Sequence, residues 1–377
     1  GGLHGVGVSC VNALSSHMLR QMHQMQDDLT TYLYDCTSIF MDYNRWELAN
    51  EWLGRLRDVD PNHPDLTITE AEILMGLDHY DEALPLLQQI IDDDPYDTEA
   101  WDLLAETQVA LENYTEAQEA ADFALAINPE DSDAILMKAN ALMNSQQQAD
   151  AIEHYRHYLK LQPDDINAHI SLALCYTNQE HYKESLPLLR AAEKLASKMP
   201  DKETELSQIL QIKAFTMSHL DMFREALNTI DSAKAITPKT SLWKCHITEG
   251  DIYLRGGQFK QAQGCFTKAL DCCQYKAETL FNIALSYMGA DYYKAAIVLL
   301  EDVWTIYGYT EGSFVIPYLA NCYLNLENRE EFLHYLKQAP SCDREATYIL
   351  FHDRYPGIEP EEYYNYELNN KNHEDPL

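Results

Sequence analysis

Four stretches of this 377-residue chain carry residue types at spacings that suit chemistry. GGLHGVGVSC, at the start, sets Gly5 and Gly7 where bare backbone N–H groups can approach phosphates, ahead of a helix from about Val8 whose positive end would face them. HYRH places His154 and His157 three residues apart, on one face of a helix, as a two-imidazole metal site requires. Cys272 and Cys273 are adjacent, a pair open to redox or metal chemistry. Asp92, Asp93 and Asp94 form an acidic run like those that hold calcium. Each falls short of a complete constellation. The histidines lack the carboxylate of HExxH, the cysteines lack a second CxxC-type pair, and the acids lack the Gly and terminal Glu of a calcium loop. No GxSxG and no GxxxxGK[ST] occurs. The expectation is a chain that is not an enzyme and takes no cofactor or metal.

Charge sets the kind of partner. Acidic residues number 61 against 27 basic, a net charge of −34. Such a field repels phosphate backbones, so nucleic acid and anionic membrane are not expected partners, and it favours basic ligands. No apolar run is long enough for a membrane span. The nine cysteines are odd in number and without framework spacing; Cys36, Cys175, Cys245, Cys265 and Cys322 sit among apolar residues in helical patterns. They read as reduced, buried thiols, which points to the cytoplasm.

The elements that would position any site come from internal repetition. Pro61, Pro95, Pro129 and Pro163 are each 34 residues apart and close similar phrases: RLRDVDP, QQIIDDDP, FALAINP, YLKLQP. A second series pairs an aromatic or similar residue with a small one three positions on: Trp46/Ala49, Tyr80/Ala83, Tyr114/Ala117, Gln148/Ala151 and Tyr182/Ser185. After about seven extra residues it resumes as Phe223/Ala226, Phe259/Ala262 and Tyr293/Ala296, with a degenerate last copy at Arg329/Phe332. A third series is small throughout: Thr37, Ala71, Ala105, Ala139, Ala173, Ala214, Gly250, Ala284 and Ala320. Small residues at these two places let two antiparallel helices approach closely, and larger ones such as Leu53, Leu87, Tyr155, Leu189, Ile230, Phe266 and Leu300 close the packing. LLAETQVAL and LFNIALSYM carry apolar residues at three- and four-residue spacings, while Asp, Asn and Pro in loops such as INPEDSDA end one helix and cap the next.

This pattern resembles the tetratricopeptide repeat family over about residues 30–346, in nine copies. The resemblance implies an all-α, right-handed superhelical solenoid of about nine helix–turn–helix repeats. Units one to five, with an extended link LASKMPDKETELSQ, would span 30–206, and units six to nine with a C-terminal capping helix 207–352. Residues 353–377 form an acidic, Tyr-rich tail, expected to be disordered at its end. In the family the first helices line a concave groove, through the second, fifth, ninth, twelfth and thirteenth positions of each unit. Carried onto this chain, these positions give Asp65, Glu72, Glu99, Asp102, Glu106, Asp133 and Asn140 in units two to four. Ile170, Leu174 and Phe215 follow, then Ile247, Asp251, Arg255, Phe281, Leu285 and Asn321. Family members that bind acidic chaperone tails use Lys, Arg and Asn there. This chain has acids instead, so the expected partner is a protein or peptide with basic and apolar character.

GGLHGVGVSCVNALS in turn resembles the glycine-rich ATP lid of the DNA gyrase B subunit and related type II topoisomerases, over residues 1–18. Those enzymes also need a water-activating Glu, a magnesium-holding Asn and an Asp-x-Gly-x-Gly turn upstream, none of which this chain contains. Two readings stand for residues 1–29. The head is a joining artefact, the repeat protein starting near Met18, Met22 or Met25; or it is a native extension, since Val11, Leu14, Met18, Met22, Met25, Leu29 and Leu33 continue one apolar stripe that would cap the array. The alternatives to an interaction scaffold are an ATP-binding topoisomerase fragment, or the regulatory repeat region of a larger enzyme or secretion assembly.

Overall fold

The computed structural model describes residues 25–198 and 203–326, together with 328, 330–332, 334, 335 and 338. Among them every regular element is helical. A first helix, α1, is described over residues 25–42. It is followed by α2 (Trp46–Val59), α3 (Leu66–Gly76), α4 (Tyr80–Asp93), α5 (Thr98–Ala110), α6 (Tyr114–Ile127), α7 (Ser132–Asn144), α8 (Gln148–Leu161) and α9 (Ile166–Asn178). Then come α10 (Tyr182–Ala196), α11 (Glu203–His219), α12 (Phe223–Ile236), α13 (Leu242–Arg255), α14 (Phe259–Cys272), α15 (Lys276–Gly289), α16 (Tyr293–Glu311) and α17 (Ile316–Asn325). This is an all-α helical-repeat solenoid, with odd-numbered helices as first members of the repeats. It divides into two compact units, Gly1–Gln179 and Glu180–Leu377, between the two helices of the fifth repeat. The tail from 339 onward and the head before 25 lie outside the described residues.

The two small-residue series are where the burial is complete. Thr37, Ala71, Ala105, Ala139, Ala173, Ala214, Ala284 and Ala320 are 0% exposed, as are Ala49, Ala83, Ala117, Ala151, Ser185, Ala226, Ala262 and Ala296. The one polar first-series residue, Thr37, satisfies its hydroxyl by donating to the Leu33 carbonyl at 2.9 Å. Phe332, large where its counterparts are small, is also buried, in the same core as Leu300 and Ala320. The extra residues of the long link lengthen α11, which spans 17 residues against 13 or 14 for α5, α7, α9, α13 and α15.

Each unit closes its helices with recurring devices. Asp97, Asp131 and Asp165 cap α5, α7 and α9, their side chains accepting backbone N–H bonds from Ala100, Asp133 and Ala168. The turn inside each repeat carries one residue in the left-handed region: Asn44, Asp78, Glu112, Gln146, Glu180, Asp221 and Asp291 at φ of 53–63°, and Gly257 at 71°. The chain reverses there by a paired bond pattern. Glu112 N–H donates to Val109 and Asn113 N–H to Gln108, as Asp291 donates to Met288 and Tyr292 to Tyr287. Glycine, asparagine and aspartate suit this position at Gly257, Asn44, Asp78, Asp221 and Asp291, while Glu112, Gln146 and Glu180 reach it against their own steric preference.

Two substitutions test this packing. A methyl group at Gly250 would fall inside the ring of Phe266. Helix propensity alone makes Gly250→Ala stabilising by about 1 kcal/mol; the packing makes it destabilising by about 1–3 kcal/mol, with Phe266→Leu recovering most of the loss. Chemical denaturation of the three chains decides, and a Gly250→Ala protein at least as stable as the parent contradicts the close approach. Glu112→Gly, which relieves the left-handed strain, is expected to gain about 0.5–1 kcal/mol in the same measurement.

Candidate functional site

In the first unit, α3, α5 and α7 lie side by side and enclose a cavity of about 530 Å³. Six of its nine lining residues are acids: Glu72 from α3, Glu99, Asp102 and Glu106 from α5, Asp131 and Asp133 at the start of α7. Thr98, Leu103 and Met137 complete it, and no basic residue takes part. Asp131 is spoken for: one carboxyl oxygen caps Asp133 N–H at 3.2 Å and the other accepts from the Asn128 amide. Asp102 keeps one oxygen, Oδ1, buried without a hydrogen-bond partner.

The carboxyls respond as like charges in a confined space must. Burial pushes Asp102 up to about 7, helped by the charges of Asp131 and Asp133, by a hydrogen bond shared with the Asp131 carboxyl and by Glu99. Glu72 is raised by burial and then by Glu99 and Glu106. Glu106, the most open of the three, is raised by the protein around it and by Asp133. The cavity therefore has acceptors in excess and cations lacking. A lysine or arginine entering it would meet unneutralised charge and an unpaired oxygen.

The second unit has a smaller cavity of about 290 Å³ between α11, α13 and α15. Phe215, Ile247, Leu254 and Leu285 give it apolar walls, Asn282 and Ser286 polar ones, and Arg255 lies one turn beyond Asp251. Asp251 is the one carboxylate among the lining residues. It is partly open to solvent yet ringed by protein, and burial raises it to about 7 against the opposing effects of the Ser286 hydroxyl and Arg255.

Of the residues expected to line a groove, the structure thus gathers Glu72, Glu99, Asp102, Glu106 and Asp133 in one cavity and Phe215, Ile247, Asp251, Arg255 and Leu285 in another. The others stand apart from both. Asp65 precedes α3, 3.9 Å from His63. Asn140 accepts the Tyr155 hydroxyl at 2.6 Å, which ties α7 to α8. Phe281 packs edge-on against Phe314 and Tyr318, and Asn321 accepts from the Asn325 amide. Ile170 is buried and Leu174 partly so. Leu103, Asp131, Met137, Asn282 and Ser286 are lining residues that repeat positions alone did not identify, because they flank the groove register by one residue or cap a helix.

The other candidate chemistry finds no assembly. Among the described residues no group of three His, Cys, Asp or Glu side chains is placed to hold a metal ion, at His154 and His157 or elsewhere. Cys272 and Cys273 donate their thiols to the Ala269 and Leu270 carbonyls, and burial raises Cys272, away from the reactive thiolate. Gly5 and Gly7 lie outside the described residues. No described helix is long and apolar enough to cross a membrane.

Comparison with known proteins places this geometry. Residues 82–204 match the model of the cytochrome c-type biogenesis protein H TPR domain, and residues 40–107 match a tetratricopeptide repeat model. No curated protein matches the chain. Among solved structures, a tetratricopeptide repeat protein from Parabacteroides merdae aligns at 17% identity over 68% of this chain and 98% of its own, with a TM-score of 0.48. YrrB, a TPR protein with an unusual peptide-binding site, aligns at 16% identity over 49% of this chain and 91% of its own, with a TM-score of 0.42. The APC/C hetero-tetramer Cut9–Hcn1 aligns at 16% identity over 81% and 58%, with a TM-score of 0.43.

The raised Asp102 has a consequence for stability. Unfolded, its carboxyl ionises near the ordinary 3.8; folded, it keeps its proton up to about 7. Its favourable contribution is full below pH 4 and is lost as pH rises through 7. Asp102→Asn is therefore expected to raise the melting temperature at pH 8, by on the order of 2–4 °C, and to change it little at pH 4. Melting curves of both proteins at the two pH values check this, and a lower melting temperature for the variant at pH 8 contradicts it.

Proposed function

We propose that this chain, a tetratricopeptide-repeat protein, is a non-enzymatic cytoplasmic scaffold that holds a segment of another protein against the first helices of its repeats. Tetratricopeptide repeats generally mediate protein–protein interaction, and the finer reading comes from the cavity between α3, α5 and α7. Six carboxylates without a basic residue among the lining groups, one of them with an unpartnered buried oxygen, are costly to maintain in an isolated protein. A segment carrying lysine or arginine removes that cost on binding, and Leu103 and Met137 offer contact to an apolar neighbour in the same segment. The cytoplasmic assignment draws support from the thiols, since Cys175, Cys245, Cys265 and Cys322 are free and buried, as a reducing compartment keeps them.

The decisive variant reverses charge where the cavity is most crowded. Asp102→Lys with Glu106→Lys should weaken a basic partner, captured from the source cell and identified by mass spectrometry, by at least about tenfold. The variant's helical content and melting temperature should stay close to those of the parent. Equal affinity of parent and variant for that partner refutes the acidic cavity as its site.

A further inference from the structure

The cavity of the second unit has a chemistry of its own. At about 290 Å³ it is small for a drug-sized ligand and suited to one side chain. Its walls are aliphatic and aromatic: Phe215 from α11, Ile247 and Leu254 from α13, Leu285 from α15. Apart from the solvent-exposed Arg255, its polar side chains can accept hydrogen bonds. Asp251 offers a carboxylate one turn from Arg255, which acts on it only through space. Asn282 commits its amide N–H to the Glu278 carbonyl at 2.8 Å, which leaves its amide oxygen to accept. The Ser286 hydroxyl, 3.0 Å from the Asn282 carbonyl, also lies within hydrogen-bond reach of Asp251 and keeps lone pairs that accept. His219 packs on Phe215 with ring centroids 4.5 Å apart. Burial and Arg255 depress its pKa to about 4, so the wall behind Phe215 is uncharged near neutrality. An apolar shaft ending in several acceptors fits a long alkyl stem ending in a group that only donates. Among side chains this is lysine, with three N–H donors and no acceptor. Arginine carries a broader planar guanidinium on a shorter aliphatic stem, a poorer fill than lysine for a pocket of about 290 Å³ with apolar walls.

We propose that this pocket takes one lysine side chain of a bound protein segment, its stem against Phe215, Ile247, Leu254 and Leu285 and its ammonium on Asp251. Arg255, at the mouth, then meets the backbone carbonyls of the same segment. This rests on the chain being a scaffold for protein segments, and not on the acidic cavity of the first unit.

The test uses the full chain and four pentapeptide mixtures, Ac-X-X-O-X-X-NH₂. X is an equal blend of Ala, Leu, Ser and Tyr, and O is lysine, Nε-acetyllysine, norleucine or arginine. NMR titration gives each dissociation constant. The lysine mixture is expected to bind at least about tenfold tighter than the acetyllysine and norleucine mixtures, and tighter than arginine. The preference should survive Asp102→Lys with Glu106→Lys, which silences the first-unit cavity, and lysine should bind that variant tighter than arginine. Asp251→Asn added to that variant should erase the preference while norleucine binding and helical content stay as in the parent. Equal binding of lysine and acetyllysine by the parent, or no lysine binding at all, overturns the proposal without need of any variant. So does arginine binding the first-unit variant as tightly as lysine, or a lysine preference that persists once Asp251→Asn is added to it. A preference lost in the first-unit variant places lysine recognition in the acidic cavity instead, which overturns this inference and leaves the proposed function standing.

Discussion

Repeats in this chain are built around positions where a side chain has almost no volume. Two antiparallel helices come within reach of each other only if the facing residues are Ala, Gly, Ser or Thr, and those residues are fully excluded from water through both units. Everything larger is arranged around them. Leu53, Leu87, Tyr155, Leu189, Ile230 and Leu300 fill the space beside the contact and are themselves 0–1% exposed. In the seventh repeat the pair is inverted in size, Gly250 yielding the room that Phe266 occupies. The constraint is steric and local, so it repeats with the chain, and it carries the first helices into a side-by-side row.

That row determines the electrostatics. Residues on neighbouring first helices that face the same way come together whether or not their charges agree. On α3, α5 and α7 they disagree: Glu72, Asp102, Glu106 and Asp133 meet with no cation among them. On α13, Asp251 lies among Phe215, Ile247 and Leu285 with only part of it open to solvent. Packing that is distributed over many small buried contacts can tolerate such local cost, because each repeat leans on its neighbours. Sites kept at a cost to stability are where binding is to be expected, since a complementary partner gains what the free protein lacks.

Much of this was readable from residue spacing. The interval of 34 residues, the small positions and the apolar periodicity gave the helices and their pairing, because each follows from sterics within about forty residues. The acids of the first cavity were readable too, since Glu72 and Glu106 stand 34 residues apart at one register position and Asp102 lies one helical turn before Glu106. What spacing could not give was the outcome of competition between partners. Asn140 sits in the same register as Glu106, yet the Tyr155 hydroxyl claims it; Phe281 turns into an aromatic cluster with Phe314 and Tyr318. The left-handed turn at Glu112 or Gln146 was hidden for a similar reason, the bonds of the helix end outweighing the preference of the residue itself.

Packing holds Asp102 and Asp251 where burial outweighs every interaction that would favour their charged forms. Carboxyl ¹³C NMR of the aspartate-labelled chain measures this directly, with Asp102→Asn and Asp251→Asn identifying the two signals. Two aspartate signals titrating near pH 7 are expected. If every aspartate carboxyl titrates below about pH 5, within the usual carboxylate range, the account is wrong.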